Sequence, residues 1–135
     1  MNILLDTNII LDIVLERQPF WESAVRLLEA AAQANLTLYV TATTITDLYY
    51  ITHKARDRAS ARNFIIDLLQ FMEIAGVDKT TIIEALHSQI TDFEDAIQES
   101  AAQQNTIHVI VTRNEKDFKN SVVKVYNPES FLQSL

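Results

Sequence analysis

The chain has 135 residues, of which 48% are hydrophobic, so it is long enough to form one domain with its own core. It has no cysteine and a single glycine, which excludes disulfide bonds, a thiolate zinc site and a glycine-rich phosphate loop. Eleven Lys and Arg against eighteen Asp and Glu give a net charge of −7, the wrong sign for a protein that coats nucleic acid.

The first half of the chain alternates between strand and helix patterns. Residues 2–5 are an apolar run that predicts a strand, and Asp6 with the two residues after it can cap a following helix. A helix is predicted over residues 20–34, and residues 36–40 predict a second strand. The next helix is expected to have Asp47 in its first turn, with an apolar face that consists of Leu48, Ile51 and Ala55.

The second half continues this alternation. Helices are predicted over residues 60–71, 79–88, 92–104 and 128–135, and strands over residues 72–77, 107–111 and 122–126. Strands that alternate with helices indicate an α/β fold with a parallel sheet covered on both faces. No apolar run is long enough to cross a membrane and no signal-peptide pattern is present, so a cytoplasmic location is expected.

Acidic residues follow the predicted strands or open the predicted helices at distant points of the sequence. Ligands bind at the carboxyl ends of parallel strands, so we expect Asp6, Asp47 and Asp95 to meet there with Asn114 or Asp117. Carboxylates gathered in one place repel one another unless a cation is present, and oxygen ligands suit Mg²⁺ or Mn²⁺. The chemistry expected is phosphodiester hydrolysis, in which the metal activates water and offsets charge on the leaving oxygen.

Each acid also has a purely structural interpretation. Asp6 could only cap a helix, and Asp47 could be an acid favoured by the helix dipole. Asp92 and Asp95 could be the cap and the first-turn acid of one helix, and Asp117 an ordinary surface acid. Their recurrence at one edge of the expected sheet favours the metal site.

Three segments together resemble the PIN-domain family. NILLDTNIILDIVLERQPF resembles the opening of these domains, TDFEDAIQESAA their third acidic motif, and IHVIVTRNEKDF their closing signature. The C-terminal VVKVYNPESFLQSL is similar to the end of a bacterial subgroup of VapC-like toxin ribonucleases with a DFEDA-type sequence. The resemblance covers essentially the whole chain, and it implies one three-layer PIN domain over residues 1–135.

This resemblance implies a ribonuclease that depends on Mg²⁺ or Mn²⁺. Asp6, Asp47 and Asp95 match the first three acids of the family, although Glu is more common at the second position. Asn114 stands where many relatives have Asp, so either Asn114 or the nearby Asp117 fills the fourth position. Supporting roles are implied for three further residues: Asn8, which would orient Asp6, Asp92 as a helper acid, and Thr112, which would position a water or a phosphate.

The resemblance also implies partners. Small bacterial PIN domains resemble the toxin half of toxin–antitoxin pairs, so an RNA substrate, an antitoxin protein and a homodimer are expected. An alternative is a PIN-like module that has lost catalysis and serves in binding or assembly, which Asn114 and the acidic net charge suggest. A phosphotransfer receiver domain is disfavoured, because the acids and the lysine that it needs do not occur in the required order.

Basic and aromatic residues supply candidates for RNA contacts. Arg113 and Lys116, beside the proposed site, are candidates for contacting phosphate. Structural roles are expected for His53, His87 and His108, and core or dimer-interface positions for Trp21, Tyr49 and Tyr50. A second basic segment could contact RNA or be a solvated helix face: His53, Lys54, Arg56, Arg58 and Arg62.

Overall fold

Strands and helices alternate along the chain, as predicted. The computed structural model describes all residues from 1 to 135. The strands are β1 (Asn2–Leu5), β2 (Thr37–Thr41), β3 (Met72–Ala75), β4 (Val109–Val111) and β5 (Lys124–Tyr126). The helices are α1 (Thr7–Val14), α2 (Trp21–Gln33), α3 (Ala42–Ala55), α4 (Arg58–Leu68), α5 (Lys79–Leu86), α6 (Phe93–Gln104) and α7 (Pro128–Ser134). A short 3₁₀ helix (Glu115–Phe118), which the sequence patterns did not predict, follows β4.

The sheet is entirely parallel and has the strand order β3-β2-β1-β4-β5. The chain runs outward from β1 to β2 and β3, and then returns to place β4 and β5 on the other side of β1. The direction of winding therefore reverses between β1 and β4. Ligands of open α/β sheets bind at such a switch point, beyond the carboxyl ends of the strands.

Each face of the sheet has its own hydrophobic core, because successive side chains of a strand point to opposite faces. Ile3 and Leu5 of β1 belong to the larger core, and Leu4 belongs to the smaller one. The larger core includes residues of α1, α2, α3, α4 and α7, and the smaller core includes residues of α5 and α6. The expected three-layer architecture, a parallel sheet between helices, is confirmed.

Helix α3 differs from the sequence prediction in two respects. It begins at Ala42 and is capped by Thr41, so Asp47 lies in the second turn. The prediction that Asp47 lies in the first turn was wrong. The buried face carries Thr44, Leu48 and Thr52 instead of Leu48, Ile51 and Ala55. These buried positions are four residues apart and share one face. The Thr44 hydroxyl is hydrogen-bonded to Thr41 and Thr7, whereas the Thr52 hydroxyl is buried without a partner.

Several histidine and aromatic side chains lie at the surface. His108 precedes β4 instead of lying within it and is exposed, as are His53 and His87. Tyr50 is 64% exposed and therefore lies outside the core, whereas Trp21 and Tyr49 are half-buried. The helices are all too short or too polar to span a membrane.

Candidate active site at the carboxyl edge of the sheet

Asp6 lies at the switch point, directly after β1. Its backbone N–H donates to the carbonyl of Val111 at 3.0 Å, which continues the pairing of β1 with β4 to the end of both strands. Its carboxylate caps α1 by accepting a hydrogen bond from the backbone N–H of Thr7. The side chain is nevertheless only 7% exposed, which is unusual for a carboxylate that serves only as a cap.

The Asp6 carboxylate accepts four hydrogen bonds. Oδ1 accepts from the backbone N–H of Thr7 at 2.7 Å and from Gln98 Nε2 at 2.9 Å. Oδ2 accepts from Thr112 Oγ1 at 2.6 Å and from Asn8 Nδ2 at 3.3 Å. These donors replace the water that a buried carboxylate loses. They come from α1, α6 and the end of β4, so three parts of the chain fix the position of one side chain.

Asp95 is brought to the same edge by α6. Asp92 caps this helix by accepting from the backbone N–H of Asp95 at 3.0 Å, and Asp95 is half-buried in the first turn. Burial, together with the charges of Asp6, Asp92 and Asp117, raises the pKa of Asp95 to about 7. Asp6 and Asp117 are therefore electrostatic neighbours of Asp95.

Asp47 joins this group through Glu94, a residue that the sequence analysis did not single out. A side-chain hydrogen bond with Asp47 is the main cause that raises the pKa of Glu94 to about 8; burial and the charges of Asp47, Asp92 and Asp6 also contribute. This hydrogen bond joins α3 to the first turn of α6. Asp47 lies in the second turn of α3, whereas the sequence predicted it in the first turn.

The segment after β4 supplies the remaining predicted residues. Thr112 donates to Asp6 and accepts from the backbone N–H of Asn114 at 3.0 Å, so its hydroxyl contacts protein groups instead of facing a free water or phosphate position. Asn114 and Asp117 are exposed, before and within the 3₁₀ helix. Of these two, Asp117 contributes negative charge at Asp95.

Arg113, a predicted phosphate contact, is paired with Asp12 instead. Its Nε lies 2.7 Å from Asp12 Oδ2 and its Nη2 lies 3.2 Å from Asp12 Oδ1, which is a bidentate contact. Asp12 is fully buried on α1, and the guanidinium carbon of Arg113 lies 3.9 Å from the ring centroid of Phe20. Lys116 is exposed and makes no ion pair. Of the two residues predicted to contact phosphate, Lys116 is therefore the one whose charge is not paired.

The second basic segment lies at the end of α3 and the start of α4. Arg56 donates to the carbonyl of Val14 at 2.7 Å, which ties this segment to α1. All five residues are exposed and so remain compatible with either RNA contact or a solvated surface: His53, Lys54, Arg56, Arg58 and Arg62.

A divalent metal ion fits this site in ligand type and charge. The titratable groups that raise the pKa values of Glu94 and Asp95 are all carboxyl groups, and a cation would relieve their repulsion. No three Asp, Glu, His or Cys side chains stand close enough together to hold an ion by themselves. Mg²⁺ does not require three, because it keeps several waters and commonly takes only one or two carboxylates from a protein.

Three residues of this region were missed by sequence reasoning: Asp12, Glu94 and Gln98. Each of them has a recognisable feature in the amino-acid sequence. Asp12 interrupts the apolar run of α1, and Glu94 directly precedes Asp95. Gln98 follows Asp95 by three residues, one helical turn, in a helix that is otherwise rich in small residues.

Comparisons with known proteins agree with this architecture. The family model of the PIN domain matches residues 2–116. Ribonuclease VapC1 of Aquifex aeolicus is 24% identical over 137 residues, which cover 98% of this chain and 94% of that protein. Among solved structures, VapBC2 from Rickettsia felis bound to a DNA fragment from its promoter aligns with a TM-score of 0.75 at 21% identity, over 94% of this chain and 98% of the other. FitAcB from Neisseria gonorrhoeae has a TM-score of 0.72 at 21% identity, with the same coverage of both chains. Since the family model matches most of the sequence, the protein belongs to the PIN-domain family.

Proposed function

We propose that this protein is an endoribonuclease that depends on Mg²⁺ or Mn²⁺. What supports the proposal is the group of carboxyl side chains at the switch point of the sheet, where burial and the charge of Asp6 raise the pKa of Asp95 to about 7 and a hydrogen bond with Asp47 raises the pKa of Glu94 to about 8. The ribonuclease name of the Aquifex aeolicus relative supports the same activity. Membership of the DFEDA-type subgroup stays a prediction.

Of Asp6, Asp47 and Asp95, one or two would contact the metal ion directly and the rest through its bound waters, and Asp117 would add negative charge from the 3₁₀ helix. When bound, the ion activates water and offsets charge on the leaving oxygen. The chain itself supplies orientation: Thr112 and Asn8 hold Oδ2 of Asp6. Lys116, exposed in the 3₁₀ helix, would contact an RNA phosphate.

RNA cleavage in Mg²⁺ or Mn²⁺, with and without a chelator, tests this proposal. We expect the chelator to abolish cleavage and Asp95→Asn to lower its rate by about 100-fold or more, since loss of outer-shell partners alone costs metal sites about 10–100-fold. Asp67→Asn is the matched control, because Asp67 is an exposed acid on α4. Cleavage by Asp95→Asn at the wild-type rate would show that the assignment is wrong.

The biological role that we propose is the toxin of a type II toxin–antitoxin pair, acting on RNA in the cytoplasm. The VapBC structure from Rickettsia felis supports an antitoxin partner. Expression of the wild-type chain in bacterial cells should arrest growth, whereas Asp95→Asn should not. Co-expression of the product of an adjacent small gene should restore growth; harmless expression of an RNA-cleaving wild type would contradict the toxin role.

We also propose a homodimer, because three helices and the edge strand β3 expose many large apolar side chains. These lie on α3, on α4 and the residues after it, on β3 and on α5: Tyr50, Ile51, Ile66, Leu69, Phe71, Ile74, Ile82, Ile83 and Leu86. A second copy of the chain would cover part of this surface. Light scattering on the purified protein should give twice the mass of one chain, and the mass of a single chain would contradict the dimer.

The second candidate function is a PIN-like binding or assembly module without catalysis. It is favoured by Asn114 in place of an acid and by the absence of three metal-binding side chains in direct reach of one another. The cleavage assay separates the two candidates. A wild-type chain that binds an antitoxin but cleaves no RNA in either metal would be such a module.

A further inference from the structure

We propose that Gln98 is a positioning residue that fixes the Asp6 carboxylate for metal binding. This inference rests on the proposed function and adds a residue to it. Gln98 lies on α6 and is 1% exposed, so its amide is shielded from solvent. Its Nε2 donates to Asp6 Oδ1 at 2.9 Å, across 92 positions of the sequence.

The position of Gln98 on α6 gives this contact its significance. Residues three apart on a helix lie on the same face, so Asp95 and Gln98 belong to one face of α6. That face both carries the Asp95 carboxylate and holds the Asp6 carboxylate. The placement of Asp6 relative to Asp95 is thus set by a helix and a buried hydrogen bond rather than by a surface loop.

The orientation of the Gln98 amide is determined by Asp6. A carboxylate only accepts hydrogen bonds, so the amide nitrogen must face it. The amide oxygen, Oε1, is then buried with no hydrogen-bond partner, which costs free energy of folding. A buried apolar side chain of similar length would avoid this cost. The requirements of the core therefore do not explain the amide, whereas a requirement to hold Asp6 does.

Asp6 also has donors on the opposite side. Thr112 and Asn8 hold Oδ2, and the backbone N–H of Thr7 shares Oδ1 with Gln98. Loss of Gln98 alone would leave three of these donors in place. The carboxylate would remain buried and partnered, but its Oδ1 would no longer be tied to α6.

Gln98→Met is the informative variant, because methionine conserves length and volume but cannot donate. The matched control is Gln103→Met, the same substitution at an exposed position of the same helix. Calorimetric titration of each protein with Mn²⁺, without RNA, measures the metal Kd directly. We expect Gln98→Met to raise the Kd by about 10–100-fold and the control to keep the wild-type Kd.

RNA cleavage gives the second readout. At a fixed, sub-saturating Mn²⁺ concentration, kcat of Gln98→Met should fall by a similar factor, while KM for RNA stays within about twofold of the wild-type value. A residue that matters only for packing would not separate these two parameters. If Gln98→Met fails to fold, Gln98→Asn replaces it: its amide is one methylene shorter and should also weaken Mn²⁺ binding.

The outcomes distinguish this inference from the proposed function. If the wild type binds Mn²⁺ and cleaves RNA, and the folded Gln98 variant shows the same Kd and kcat, the inference is overturned and the proposed function stands. If the wild type neither binds Mn²⁺ nor cleaves RNA, the proposed function fails, and the role of Gln98 fails with it.

Discussion

Thr112, the first residue after β4, donates a 2.6 Å hydrogen bond to Oδ2 of Asp6, the first residue after β1. The two residues are 106 positions apart, and their contact spans the switch point of the sheet. The same Thr112 hydroxyl accepts from the backbone N–H of Asn114. One side chain thereby links the buried carboxylate to the loop that carries Asp117.

Thr112→Val should impair the site more than the fold, because valine has the same shape but cannot donate to Asp6. We expect the RNA cleavage rate to fall by about 10–100-fold. The free energy of unfolding should fall by only about 1–3 kcal/mol, since the N–H of Asn114 also loses its acceptor. Thr112→Ser keeps the hydroxyl and should retain activity. Equal cleavage rates for the Val and Ser variants would contradict this role.

The metal-free protein should become less stable as the pH rises from about 5 to about 8. The pKa values of Glu94 and Asp95 are raised to about 8 and about 7 in the folded chain, from ordinary values of 4.5 and 3.8. At pH values between the ordinary and the raised pKa values, the folded state binds more protons than the unfolded state. The free energy of unfolding therefore falls with increasing pH. Urea unfolding at several pH values measures this dependence.

Two controls isolate the cause of this pH dependence. Glu94→Gln removes the group with the most strongly raised pKa and should flatten the curve. Mn²⁺ should restore stability at pH 8, because the cation offsets the carboxylate charges that protons offset at lower pH. A metal-free wild type whose stability rises steadily up to pH 8 would contradict the account.

The Asp12–Arg113 pair should be a structural element rather than an RNA contact. Arg113→Met leaves the fully buried Asp12 carboxylate without its partner, so the free energy of unfolding should fall by about 3–5 kcal/mol. The double variant Asp12→Leu/Arg113→Met should recover most of this loss, since no charge remains buried. Urea unfolding of the three proteins tests this. A stable Arg113→Met variant with weakened RNA binding would instead favour the phosphate contact.

Lys116 should contact RNA phosphate without sequence preference. In an Asp95→Asn background, which prevents cleavage, Lys116→Gln should weaken RNA binding and reduce the slope of log K against log salt by about 0.7–1. Lys119→Gln, an exposed charge three residues further along the chain, is the control. Fluorescence anisotropy at several salt concentrations gives both slopes. Equal changes in the two variants would indicate a general charge effect in place of a specific contact.

Much of the fold was predictable from local patterns, because the strands are apolar runs and the helices have recognisable caps. Asp6 was identifiable for the same reason: it ends a buried strand and precedes a helix. The position of Asp47 was assigned to the wrong turn, since the sequence does not show that the buried Thr41 both ends β2 and caps α3.

The long-range contacts around the acids could not be predicted, because the residues that they join lie far apart in the sequence, 92 positions for Asp6–Gln98 and 101 for Asp12–Arg113. Gln98 and Asp12 are polar residues on helices, and sequence spacing alone assigns such residues to the surface. Their burial depends on partners that only the tertiary structure provides, Asp6 for Gln98 and Arg113 for Asp12. Glu94 was missed because its partner Asp47 is on another helix.

We expect the acids at the carboxyl edge of the sheet to bind a divalent cation. This binding can be measured by calorimetric titration of the purified wild-type protein and of Asp95→Asn with Mn²⁺. The wild type should bind saturably at millimolar or lower Mn²⁺, with a Kd at least about tenfold weaker for Asp95→Asn. No binding by the wild type at millimolar Mn²⁺, or equal Kd values for the two proteins, would show that the carboxyl edge of the sheet is not a metal site.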